Sequence, residues 1–86
     1  MTERPATRAD LRAGAWRILW WQQVAGHAAP AEAIADTLRI LWALDAEEAG
    51  DARGARYVAA YLRRGIVETS PDGRWRRLGW RGRAVA

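Results

Sequence analysis

The period of the apolar positions changes once, near Gly65, which separates a helical part of the chain from a strand-forming part. Leu11, Ala15, Ile18 and Leu19 recur at spacings of three and four and so share one helical face. Trp16, Trp20 and Val24 form a second stripe beside them, and Trp21 sits apart. Thr7 or Asp10 caps this helix, because either side-chain oxygen accepts from a backbone N–H left unpaired in the first turn. The helix runs to about Ala25, where Gly26 stops it. It is apolar around most of its circumference, so it is either the central helix of the fold or a helix whose outer surface meets another chain. Ala29-Pro30 restarts the chain, since proline suits a first helical turn, and Glu32 favours the positive helix end. Ile34, Leu38, Leu41 and Trp42 then mark a second amphipathic helix ending near Leu44. The acidic stretch from Asp45 to Gly50 reads either as a connector or as an early helical turn, since Asp45 and Glu48 have capping-box spacing.

Asp51 is the expected N-cap of a third helix, Ala52 to Arg64, with Gly65 as its stop. At about 100° per residue, Val58, Leu62, Ala55 and Tyr61 fall on one side. Arg53, Arg56, Ala60, Arg63 and Arg64 fall within an opposite arc of about a third of a turn. No acid interrupts that arc, and Tyr57 lies at its edge. Ile66 to Thr69 is strand-like, Ser70-Pro71-Asp72-Gly73 is a turn signal, and Arg74 to Leu78 is a return strand. Gly79 to Ala86 reads as one helical turn or a tail. The expected organisation is a flexible leader over residues 1–8, one domain over 9–80 and a short tail over 81–86. In fold class this is mainly α with a β-hairpin, and the order helix, helix, helix, hairpin is the skeleton of a three-helix winged helix-turn-helix domain.

Charge sharpens the picture. Residues 1–50 hold five arginines against seven acids, and residues 51–86 hold nine against three. This asymmetry points to an anionic partner for the second half. All fourteen basic residues are arginine, which suits bidentate phosphate and guanine contacts and is also what a GC-rich genome produces. With no cysteine and His27 as the only histidine, disulfides and thiolate metal sites are excluded and a histidine-based zinc site has too few ligands. No apolar run approaches the roughly 18 residues of a spanning helix, and Met-Thr-Glu-Arg-Pro lacks a signal-peptide core. The expectation is a cytoplasmic protein with no membrane partner, no cofactor and no small-molecule ligand.

Several segments resemble winged-helix regulators of the broad bacterial repressor type. Tyr61-Leu62-Arg63-Arg64-Gly65-Ile66-Val67 looks like a recognition helix running through glycine into a wing, and Asp72-Gly73-Arg74-Trp75 looks like a wing tip. More narrowly, the chain is similar to small winged-helix proteins of Mu-like phages. The segments Gly26-His27-Ala28-Ala29, Ile34-Ala35-Asp36-Thr37-Leu38 and Leu78 through Ala86 carry that likeness, in the expected order. The pattern departs where the third helix opens with arginine and alanine rather than serine or threonine. It departs again where Gly79 replaces the threonine of a Leu-Thr pair and the chain soon ends.

Duplex DNA is therefore the expected partner. A helix of about 10–12 Å across fits a major groove about 12 Å wide. Arg53 and Arg56 are placed at base edges, Arg63 and Arg64 at phosphates, with Tyr57 and Ala60 on the same face. Arg74, Arg76 and Arg77 form the wing contact. The bland alternatives are a solvated charged face and an edge strand protected by charge. Trp16, Trp20 and Trp42 read as core, while Trp21 reads as a surface anchor. If helix one has a working surface, Trp16, Trp20 and Trp21 form the interface of a homodimer or of a protein-interaction adaptor. Trp75 and Trp80 pack the wing onto the body, or Trp75 stacks on a single-stranded base. Structured RNA is a further alternative. An enzyme is not expected: Glu47 and Glu48 point about 100° apart on a helix and make no carboxylate pair, and His27 reads as a surface or cap residue.

Overall fold

The computed structural model describes residues 2–24, 26 and 30–81; His27 and the segment 82–86, with the readings placed on them, lie outside the described residues. The chain runs β1 (Thr2–Pro5), α1 (Arg8–Gln23), α2 (Ala31–Glu48), α3 (Ala52–Arg64), β2 (Gly65–Thr69) and β3 (Arg76–Trp80). Three helices and a three-stranded antiparallel sheet give a winged helix-like layout, with the β2–β3 hairpin as the wing.

Local chemistry explains most boundaries. Thr7 and Asp10 both act at the start of α1, in a reciprocal capping box: the Thr7 hydroxyl accepts from the Asp10 N–H and the Asp10 carboxylate accepts from the Thr7 N–H. Asp51 caps α3 by accepting from the Arg53 N–H at 2.8 Å. The acidic stretch after Leu44 is helical to Glu48, so α2 is longer than its apolar pattern suggests. It closes in a Schellman motif, in which the Gly50 N–H donates to the Glu47 carbonyl and the Asp51 N–H donates to the Ala46 carbonyl. Gly50 sits at φ +85°, a left-handed conformation that glycine adopts without the Cβ penalty. Ala49, Gly50 and Asp51 thus form the short turn of a helix-turn-helix.

Expectations about both chain ends and about the end of α3 change. The leader is not loose: Thr2 to Pro5 pair antiparallel with Thr69 to Ile66, which makes β2 the central strand of the sheet. Gly65 ends α3 in extended rather than left-handed conformation, at φ −74°. Its need is for space, since a Cβ there would lie 2.9 Å from both the Ala6 Cβ and the Tyr61 carbonyl. Gly79 and Trp80, read as the start of a helical turn or a tail, complete β3.

The core is small. Leu11 and Ala15 of α1, Ile40, Ala43 and Leu44 of α2, Val58 of α3, Val67 of β2 and Ala6 are buried, with Leu41, Tyr61, Leu62, Leu78 and Trp80 packed around them. Thr37 is buried with its hydroxyl donating to the Ala33 carbonyl. Trp16, Trp20 and Trp42, expected inside, are 57%, 49% and 43% exposed, and Leu38 and Ile18 also face out. The reason is steric. Where α3 meets α2, Gly54 lies so close to Ala43, Ala46 and Glu47 that even a Cβ would clash, which leaves no room for an indole at that contact. The apolar arcs of α1 and α2 are wider than the stripes the core can take, so the larger side chains remain outside. Ala55 of α3 is likewise exposed, and Gly54 takes its place against α2.

Candidate nucleic-acid interface

The interface begins with the capped register of α3. Burial of Gly54 and Val58 turns the opposite side outward, and Arg53, Arg56, Tyr57, Arg63 and Arg64 are all exposed. Ala60 is half-buried between them. Arg63 and Arg64 occupy the last turn, where cations offset the exposed carbonyls of the helix end.

Aromatic contacts brace this face. Trp42 meets Tyr57 edge-on at 5.7 Å, Tyr57 stacks on Tyr61 at 6.5 Å, and Tyr61 meets Trp80 at 5.9 Å. The run links α2, α3 and β3, and burial raises the Tyr61 pKa above that of a free phenol. Trp42 thus supports α3 from the side, although it is not core.

The distribution of ion pairs decides which charges are available. Arg8 makes a two-toothed pair with Glu47 at 2.7 and 2.9 Å, joining α1 to the end of α2. Arg12 reaches Asp45 and Glu48. Arg4 of β1 makes a similar two-toothed pair with Asp10, whose carboxyl is held far below the usual range mainly by that guanidinium. Arg39 pairs with Asp36. Five of the seven acids of the first half are therefore spent within it, Glu47 and Glu48 on two different arginines. Among the described residues, the side chains of Arg56, Arg63, Arg64, Arg76 and Arg81 make no ion pair or hydrogen bond. Arg53 has a single long contact with its cap, Asp51, at 3.4 Å.

The wing arginines differ from one another. Its tip is tied down: the Ser70 hydroxyl donates to Asp72 at 2.6 Å and accepts from the Trp75 N–H, and Asp72 also accepts from the Arg74 N–H. These bonds, the Ser70 one foremost, lower the Asp72 pKa. Gly73 at φ +72° supplies the tight bend. Arg74 projects into solvent, with Asp72 3.6 Å away. Arg77 is engaged instead. It stands opposite Glu68 in the strand register, pairs with that carboxylate, and lies 5.6 Å from the Trp75 ring centre. The hairpin register itself carries the signal for that pairing, because directly opposed charges in antiparallel strands attract.

Two arginines belong to this surface beyond those found by periodicity. The Arg81 N–H donates to the Arg64 carbonyl, so the end of β3 brings Arg81 beside the last turn of α3. Arg17 of α1 donates to the Arg76 carbonyl at 2.8 Å. Both contacts are long-range and leave no periodic trace.

Trp16, Trp20 and Trp21 share the outer surface of α1, with Trp20 and Trp21 edge-to-face at 5.0 Å. No described helix is long and apolar enough to cross a membrane. Among the described residues no group of three or more histidine, aspartate or glutamate side chains could hold a metal ion. No protein-family model, curated protein or solved structure matches the chain.

Proposed function

We propose that this domain binds duplex DNA, with α3 in the major groove and the wing on the flanking backbone, as a transcriptional regulator of bacterial or phage type. The observation that carries the reading is the single-sign face of α3. Arg56, Arg63 and Arg64 are exposed on one side of a helix and uncommitted to any described partner. An ordinary solvated face mixes signs, whereas here the nearby acids are used elsewhere. Arg53 and Arg56 lie toward the N-terminal half of α3, the part that reaches base edges in helix-turn-helix docking. Arg63, Arg64 and Arg81 suit phosphates, as do Arg74 and Arg76 of the wing. Arg77 contributes less, because Glu68 already neutralises it.

One domain of this size covers a short half-site, so the proposal includes a homodimer. Trp16 of α1 and Val24 at its C-cap are its candidate contact, both well exposed. Sedimentation at tens of micromolar that finds only a 9.6 kDa species removes the dimer and leaves duplex binding standing.

The experiment is fluorescence anisotropy of a labelled random duplex at several salt concentrations. Five to seven phosphate contacts give a slope of log affinity against log salt of about −5. Arg56→Glu should weaken binding at least tenfold, and Arg63→Ala, which removes a phosphate contact, should reduce the slope by about 1. Absence of binding at low salt refutes the proposal. Binding indifferent to Arg56 places the contact off α3 and refutes the assignment of the face.

A further inference from the structure

Between α1 and the wing lies an open groove of about 850 Å³, most of whose lining the duplex reading does not use. Trp20, Trp21 and Arg17 line it from α1, and Trp75, Arg74 and Arg76 line it from the wing. Its floor is apolar and tight, for a Cβ on Gly14 would touch Leu78 at 3.0 Å. The hydrogen bond from Arg17 to the Arg76 carbonyl spans the two walls, so the groove is held open by a contact between elements. On the wing side, Arg77 lies against the Trp75 ring while Glu68 anchors its guanidinium, which orients the indole.

Charge in the groove is one-sided. The one acid in its lining, Asp10, is consumed by Arg4 and by the cap of α1. Asp72, beside Arg74, accepts from Ser70 and from the backbone of the wing tip. The surface that remains combines exposed indoles with arginines. An occupant that matches it must supply anions and flat π faces together, and a polynucleotide strand supplies both in every repeat unit. An acidic peptide supplies the anions but leaves the indoles against water unless it brings anchors of its own. Duplex DNA supplies the phosphates but keeps its base faces stacked inside.

We propose that the groove between α1 and the wing binds a short single-stranded nucleic-acid segment, with bases stacked on Trp20 and Trp75 and phosphates on Arg17, Arg74 and Arg76. Aromatic platforms in a positive groove are the general means of holding a single strand without sequence preference. The inference shares Arg74 and Arg76 with the duplex reading but is independent of α3, because neither Arg56 nor Arg63 lines the groove.

The test uses the full chain, fluorescein-labelled dT12 and a labelled duplex, both at physiological salt, with anisotropy and tryptophan emission recorded together. The expected result is dT12 binding that quenches tryptophan emission. The double variant Trp20→Ala/Trp75→Ala then loses at least tenfold in dT12 affinity and most of the quenching, while its duplex affinity stays within threefold. Arg56→Glu gives the opposite pattern, which separates failure of this site from failure of the duplex reading. Unchanged dT12 affinity in the double variant overturns the proposal. So does dT12 binding that falls with Arg56→Glu alone, or tighter binding of a twelve-residue Glu/Leu peptide in the same groove. Should the double variant melt early, Trp75→Leu at the wing tip, away from the core, gives the same reading by the loss or persistence of quenching.

Discussion

Gly54 sits where α3 crosses α2, and its replacement by alanine separates two opposite expectations. A Cβ at this position would lie 2.5 Å from the Ala46 Cβ, 2.7 Å from the Glu47 nitrogen and 2.9 Å from the Ala43 carbonyl oxygen. Carbon atoms in good contact are about 3.5–4.0 Å apart, so the two helices must separate by about 1 Å here. Two of the three neighbours are backbone, so no rotamer change relieves them. A methyl forced into a packed core costs about 1–3 kcal/mol, and the backbone contacts put Gly54→Ala at the upper end. Alanine returns about 1 kcal/mol through its better helix propensity. The net loss is about 2 kcal/mol, and at about 4–8 °C per kcal/mol for a domain of this size the melting temperature falls by about 8–16 °C. Thermal melting followed by circular dichroism reads this directly. Ala46→Gly in the same chain removes the shortest contact and leaves the two backbone ones, so a double-mutant cycle should show favourable coupling with incomplete rescue. If α3 did not cross α2 at Gly54, alanine would stabilise an open helical position and the melting temperature would rise. A rise would refute the packing argued here and, with it, the register that turns the arginines outward.

Three further outcomes follow from the same contacts. Glu68→Gln releases Arg77, so duplex affinity should rise several-fold and the salt slope should steepen by up to about 1; an unchanged slope means that Arg77 does not reach phosphate. Deleting residues 2–5 removes β1 and the Arg4–Asp10 pair, leaving one edge of β2 without backbone partners. Amide exchange at Val67 and Thr69 should then accelerate relative to Val58, and equal protection in both chains would argue against the strand pairing. Asp10 and Glu47 have lowered folded-state pKa values, chiefly through hydrogen bonds from Arg4 and Arg8. Their stabilisation is complete above the ordinary carboxylate range near 4 and is lost as pH falls from there toward the folded values. Melting temperature should therefore decline below about pH 5, and Asp10→Asn should lower the plateau while flattening that decline.

Much of the fold was legible because its signals are local. Capping chemistry at Thr7, Asp10 and Asp51 and the bend at Gly73 each act within a few residues, so they can be recognised before anything is folded. The arginine arc of α3 followed from helical geometry alone, since a period of 3.6 residues fixes which positions share a side. The hydrophobic periodicity placed apolar stripes on α1 and α2. It could not say which stripe faces inward, because that depends on how closely the helices approach. Gly54 lets α3 approach α2 closely at Ala43 and Ala46, and Trp16, Trp20 and Trp42 lie outside.

Tertiary structure alone decided the rest. Thr2 to Pro5, three polar residues and a proline, carry no strand signature and become β1 only because β2 offers a row of unpaired backbone groups. The available charge was likewise invisible in the chain order. An arginine's availability depends on whether a carboxylate lies within a few ångströms, and Glu47 reaches Arg8 across 39 positions of sequence. The groove beside the wing has the same origin, since its walls come from residues 17–21 and 74–76. Sequence determines what each short segment prefers, through steric and hydrogen-bonding terms that act over one or two turns. Packing determines which side chains meet, and it is the meeting of Arg17, Trp20 and Trp75, or of Arg77 and Glu68, that assigns their chemistry.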